Sequence, residues 1–150
     1  MDSLTGGQHR AEVSALGLDI GRKRIGVAGC DRTGLIATGL TTLYWQSFAT
    51  LVEALADLVH KRQAELLVVG LPLTMEGTEG FQARQVRKVG DRLGRALGLP
   101  IVYVDERLTS VEAEQLIQAE RRSPRDNKGL VDRKAAALIL QRWLEQRRGT

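Results

Sequence analysis

Asp19, the pair Asp105-Glu106, and Asp132 are acidic residues set among apolar or alanine-rich neighbours, where an ionised carboxylate needs compensation. Asp19 lies in Leu16-Gly17-Leu18-Asp19-Ile20-Gly21, whose other members belong in a core. Taken alone, it is equally readable as a strand-end aspartate that bonds the following turn. Asp105 and Glu106 close the apolar run from Ile101 to Val104, and adjacent strand residues point to opposite faces, so at most one of them faces Asp19. The alternative is a solvated strand exit with Arg107 as an ion-pair partner. Asp132 precedes Ala135-Ala136-Ala137, small residues that let a helix approach a sheet closely; its alternative is an acid drawn to a helix N-terminus.

Brought together, three such carboxylates repel one another unless divalent cations neutralise them. Mg²⁺ (or Mn²⁺) suits an all-oxygen site, and two ions about 3.5 to 4 Å apart hold the attacking and leaving oxygens of a phosphodiester in line. The chemistry this permits is phosphodiester hydrolysis. Basic residues lie beside each acid: Arg22, Lys23 and Arg24 follow Asp19, Arg107 follows Glu106, and Arg121, Arg122, Arg125 and Lys128 precede Asp132. Lys23, Arg24, Arg107, Arg122 and Lys128 are the candidates for salt-sensitive, mostly sequence-independent phosphate contacts. A solvated charged loop is the competing reading for 121–128.

The elements that must position these residues follow from periodicity. Ala15 to Ile20 and Ile25 to Cys30 are apolar runs separated by Gly21-Arg22-Lys23-Arg24, a hairpin pattern, and Ile36 to Trp45 continues it as a third, antiparallel strand. Phe48, Leu51, Val52, Leu55, Leu58 and Val59 recur at three- and four-residue steps, which predicts a helix between Gln46 and Arg62. Leu66 to Gly70 reads as a buried fourth strand. Val86, Val89, Leu93, Ala96 and Leu97 predict a second helix ended by Gly98, and Ile101 to Asp105 a fifth strand, parallel to the fourth because a helix connects them. Thr109-Ser110-Val111-Glu112 fits a capping box for a third helix from Ser110. A polar loop is expected from about Ala119 to Gly129, then a last helix from about Leu130 to Arg147 with Val131, Ala135, Leu138, Ile139, Trp143 and Leu144 inward. The result is an α/β mixed sheet flanked by helices.

Length and composition fit this plan. A chain of 150 residues with 43% apolar and 27% charged residues is the size and make-up of one globular domain. No run approaches the about 20 apolar residues of a membrane span, so no membrane partner is expected. Residues 1–14 carry no secretory pattern and are expected to be a disordered leader to a domain at 15–147. The single cysteine, Cys30, cannot form an internal disulfide and reads as a buried small residue; a cytoplasmic location fits. The net charge of +4 and pI near 9.6 favour anionic partners.

Four blocks, in order, resemble the YqgF/RuvX family of bacterial proteins: Gly17 to Ala28, Val69 to Thr78, Asp105 to Ser110, and Asp132 to Ala137. The resemblance runs from about Leu16 to Glu145. It implies an RNase H-like fold, a five-stranded mixed sheet in the order 3-2-1-4-5 with strand two antiparallel. It also implies that Asp19, Glu106 and Asp132 are catalytic acids and metal ligands, with Glu106 favoured over Asp105, and that Gly70, Leu71 and Pro72 line the site. The family is described both as nucleases that process precursor 16S rRNA, here at its 5′ end, and as Holliday junction resolvases, so precursor rRNA or branched DNA is the implied partner. RNase H-like enzymes commonly carry an acid at the end of strand four; here Gly70 stands there, and strand five must supply it.

Two other readings compete. A non-catalytic nucleic-acid-binding module of the same fold would be marked by loss of an acid, and all three are present. An ATP-binding enzyme of the actin and sugar-kinase type shares Asp19-Ile20-Gly21 before a hairpin but needs two such domains. Neither the Gly-x-Gly-x-x-Gly nor the Walker lysine pattern occurs. A resolvase would act as a dimer and an RNA-processing enzyme as a monomer, so a monomer or weak homodimer is expected.

Overall fold

The computed structural model describes residues 12–106 and 128–149. Strands β1 (Ala15–Ile20), β2 (Arg24–Cys30) and β3 (Ala37–Tyr44) form the antiparallel meander. Helix α1 (Phe48–Arg62) leads to β4 (Leu66–Leu71), and α2 (Phe81–Leu97) leads to β5 (Ile101–Asp105). Helix α3 (Lys128–Gly149) completes the described chain. The sheet order is β3-β2-β1-β4-β5, with β1, β4 and β5 parallel, as the resemblance implies. The proposed helix from Ser110 and most of the expected loop lie outside the described residues; α3 already includes Lys128 and Gly129.

Local chemistry explains the boundaries. Ser47 caps α1 in a reciprocal capping box with Thr50, and Gly98 ends α2 in the left-handed conformation at φ 70°. Val13 and Ser14, within the expected leader, are tied to the domain. Val13 N–H donates to the Arg32 carbonyl at 3.1 Å, and Ser14 Oγ donates to the Arg62 carbonyl at 2.8 Å. Cys30 is buried, with its thiol 3.5 Å from the Val13 carbonyl.

Strand alternation divides the core into two layers. Leu16, Leu18, Ile25, Val27, Leu67 and Val69 pack with α1 and α2, whereas Ala15, Ala28, Val68 and Val104 pack with α3. The buried stripe of α3 is Ala136, Ile139, Leu140 and Leu144, one step round from the expected Ala135 and Leu138. Glycines on the sheet, more than alanines on the helix, allow the close approach. A Cβ on Gly17 would stand 2.7 Å from Leu140 Cβ, and one on Gly26 would overlap the Asp132 carbonyl oxygen. No helix among the described residues is long and apolar enough to cross a membrane.

Candidate active site

The acids gather at the sheet edge where the parallel strands end. Asp19 shares the α3-facing parity of Ala15 and Gly17, and it pairs across the hairpin with Gly26, the residue on which the Asp132 backbone rests. Gly26 therefore fixes how near Asp132 comes to Asp19. Leu18 is in register with Val69, so Asp19 and Gly70 are the next residues along neighbouring strands.

Alternation also separates Asp105 from Glu106. Ile101 and Tyr103 pack in the α1-α2 layer, while Val102 and Val104 belong to the α3 layer. Glu106 keeps the parity of Val104 and faces the α3 side; Asp105 has the opposite parity. The Glu106 N–H donates to the Leu71 carbonyl at 3.3 Å, which extends the β4-β5 ladder by one residue. Its carboxylate then lies over Gly70, with Oε2 2.8 Å from where a Gly70 side chain would begin.

Electrostatics link the three acids. Burial pushes Asp19 up to about 6, with the Asp132 charge adding to the shift. Burial pushes Glu106 up to about 7, with Asp19 and then Asp105 adding to it. Asp132 is held by Arg24, whose Nε donates to Oδ2 at 2.5 Å. Among the described residues, no three acidic, histidine or cysteine side chains stand close enough to form a preassembled metal site. The donor set is nonetheless one a hard divalent cation takes: oxygen only, partly buried and mutually repelling.

The remaining expected residues divide. Lys23 is exposed and, with Gly21, Arg22, Arg24 and Asp132, borders a hollow of about 240 Å³. Arg24 is engaged with Asp132. Arg107 and Arg122 lie outside the described residues, as does the Lys128 side chain. Leu71 contributes its carbonyl to Glu106, and Pro72 lines a cavity of about 520 Å³ that Glu106 borders. Trp45, Phe81, Gln82 and Gln85 also line it, and none was singled out from the sequence. The available signal was Phe81, a large aromatic off the apolar stripe of α2 and 63% exposed.

Comparison with known proteins agrees with this architecture. The family model described as "RuvX: Holliday junction resolvase" matches residues 13–146. A protein of Trichormus variabilis is 64% identical over 136 residues, covering 91% of this chain and 90% of that protein. One of Crocosphaera subtropica is 62% identical over 138 residues, covering 92% and 96%. Both carry the name "Putative pre-16S rRNA nuclease". The Thermus thermophilus RuvC structure in complex with a Holliday junction substrate superposes with a TM-score of 0.59 over 92% of this chain and 97% of that one, at 13% identity, a likeness of fold. The chain therefore belongs to the RuvX family and is a nuclease of RNase H-like fold.

Proposed function

We propose that this protein is a divalent-metal-dependent endonuclease that trims the 5′ end of precursor 16S rRNA in the cytoplasm, with Asp19, Glu106 and Asp132 as its catalytic acids. The observation that carries the reading is the electrostatic coupling of Asp19 to both Asp132 and Glu106 at one sheet edge. Buried carboxylates with raised affinities for protons are poised to exchange those protons for a cation. A bound divalent cation supplies acidified water and charge stabilisation at the phosphate.

The chain's own residues do the rest. Asp19, Glu106 and Asp132 would hold Mg²⁺ or Mn²⁺; Gly70 leaves room for Glu106; Arg24 orients Asp132. Arg22 and Lys23, exposed in the β1-β2 turn, meet the substrate backbone. The names of the relatives support the RNA substrate. A second reading, cleavage of branched DNA, is favoured by the family description.

The test is to incubate the purified protein with Mg²⁺ or Mn²⁺ and either precursor 16S rRNA or a four-way DNA junction, beside Asp19→Asn. Metal-dependent cleavage of the RNA by the wild type alone is expected. Selective cleavage of the junction would favour the second reading, and equal cleavage by both proteins would remove Asp19 from the site.

A further inference from the structure

The cavity bordered by Glu106 is a feature of this edge that the three acids do not explain. Its volume of about 520 Å³ falls in the about 300 to 1,000 Å³ range of small-ligand pockets. Glu106 and Pro72 bound it on one side, and the first turns of α2 bring Phe81, Gln82 and Gln85 to it from the other. The Trp45 indole, held by a 3.0 Å hydrogen bond from Nε1 to the Gly21 carbonyl, contributes a second aromatic ring. Arg22 stands at the β1-β2 turn on its border.

This composition matches one kind of occupant. Two aromatic rings offer flat faces for stacking, and two primary amides, each both donor and acceptor, can bond a polar edge. Gln82 and Gln85 are exposed, and their side-chain amides make no hydrogen bond to another described residue. An apolar peptide would leave the Arg22 guanidinium and both amides without partners. A planar heterocycle with a polar rim satisfies them, and Arg22 is placed for its phosphate. We infer that this cavity takes one unpaired nucleobase of the substrate, from a nucleotide next to the scissile phosphate.

The inference rests on the nuclease reading in that Glu106 borders both the reacting phosphate and the cavity. A base held in a duplex cannot enter, so the strand must be single at that nucleotide. Stacking is tolerant of base identity, so recognition here selects unpaired strand more than sequence.

The test separates binding from cleavage. With chelator present, the protein is titrated with single-stranded oligoribonucleotides carrying 2-aminopurine at successive positions, using wild type, Phe81→Ala and Phe81→Tyr. Quenching at one position is expected with the wild type and Phe81→Tyr, with affinity about tenfold weaker and quenching lost in Phe81→Ala. Equal affinity and quenching across the three proteins would overturn the inference. Cleavage with Mn²⁺ is then followed on the same strands. Cleavage by the wild type with Phe81→Ala unchanged in binding and rate sinks the base pocket and leaves the nuclease standing. Position-specific quenching without cleavage supports the pocket and sinks the nuclease.

Discussion

The Glu106 carboxylate fills the space that a side chain on Gly70 would occupy, with Oε2 2.8 Å from the Cβ position. A residue there would also overlap Ile139 Cδ1 on the opposite wall. Strand five can supply the acid because strand four gives up its side chain. Gly70→Ala is expected to lower kcat at least tenfold and stability by about 1 to 3 kcal/mol, read by cleavage rate and thermal melting. Full activity in Gly70→Ala would mean that Glu106 does not act from this position.

Gly26 makes a comparable demand on Asp132. A methyl at Gly26 would overlap the Asp132 carbonyl oxygen, which belongs to backbone and cannot swing aside. Gly26→Ala should lift the start of α3 from the sheet, lower stability by about 1 to 3 kcal/mol and abolish cleavage. Gly98→Ala is the control. Its φ of +70° strains an L residue by about 1 to 2 kcal/mol, but nothing lies within 4 Å, so melting should fall while kcat holds.

Arg24 was expected to touch phosphate, and the structure pairs it with Asp132. The two roles differ in salt dependence. Loss of a phosphate contact lowers the slope of log affinity against log salt by about one, whereas loss of a positioning residue leaves the slope and lowers kcat. Arg24→Gln is expected to reduce kcat about tenfold with the slope unchanged. Lys23→Gln should do the reverse.

Stability should fall as pH rises through the site's titration range. The folded protein holds protons on Asp19 up to about pH 6 and on Glu106 up to about pH 7, above the ordinary carboxylate values of 3.8 and 4.5. Unfolding therefore releases protons between about pH 4 and 7, and metal-free stability declines across that window. For Asp19 alone the shift corresponds to about 3 kcal/mol at most. Asp19→Asn should accordingly melt higher than the wild type without metal at pH 8, by on the order of 5 °C. Stabilisation by Mg²⁺ should grow over the same pH window in the wild type and be absent from the variant.

Much of this was legible in the sequence because alternation and helical spacing are written in residue type. All five strands and α1 and α2 fall where the apolar runs put them. Glu106 was separable from Asp105 by parity once Val104 could be assigned a layer, which needs the partner helix. On α3, Ile139 and Leu144 are buried as the spacing predicts, but Ala136 and Leu140 take the places expected of Ala135 and Leu138: apolar and alanine residues surround much of the helix, and the glycines on the facing strands decide which row touches. The Arg24-Asp132 pair spans 108 positions and left no local pattern. Phe81 and the two glutamines were missed because an exposed aromatic becomes meaningful only beside Trp45 and Pro72.

The central claim is that Asp19, Glu106 and Asp132 together hold the cation that cleavage requires. Its most direct test is a calorimetric titration with Mn²⁺ of the wild type, Asp19→Asn, Glu106→Gln and Asp132→Asn, each verified as folded. Saturable binding by the wild type and at least tenfold weaker binding by every variant is the predicted result. Unchanged Mn²⁺ affinity in any one of the three would remove that residue from the site and contradict the account.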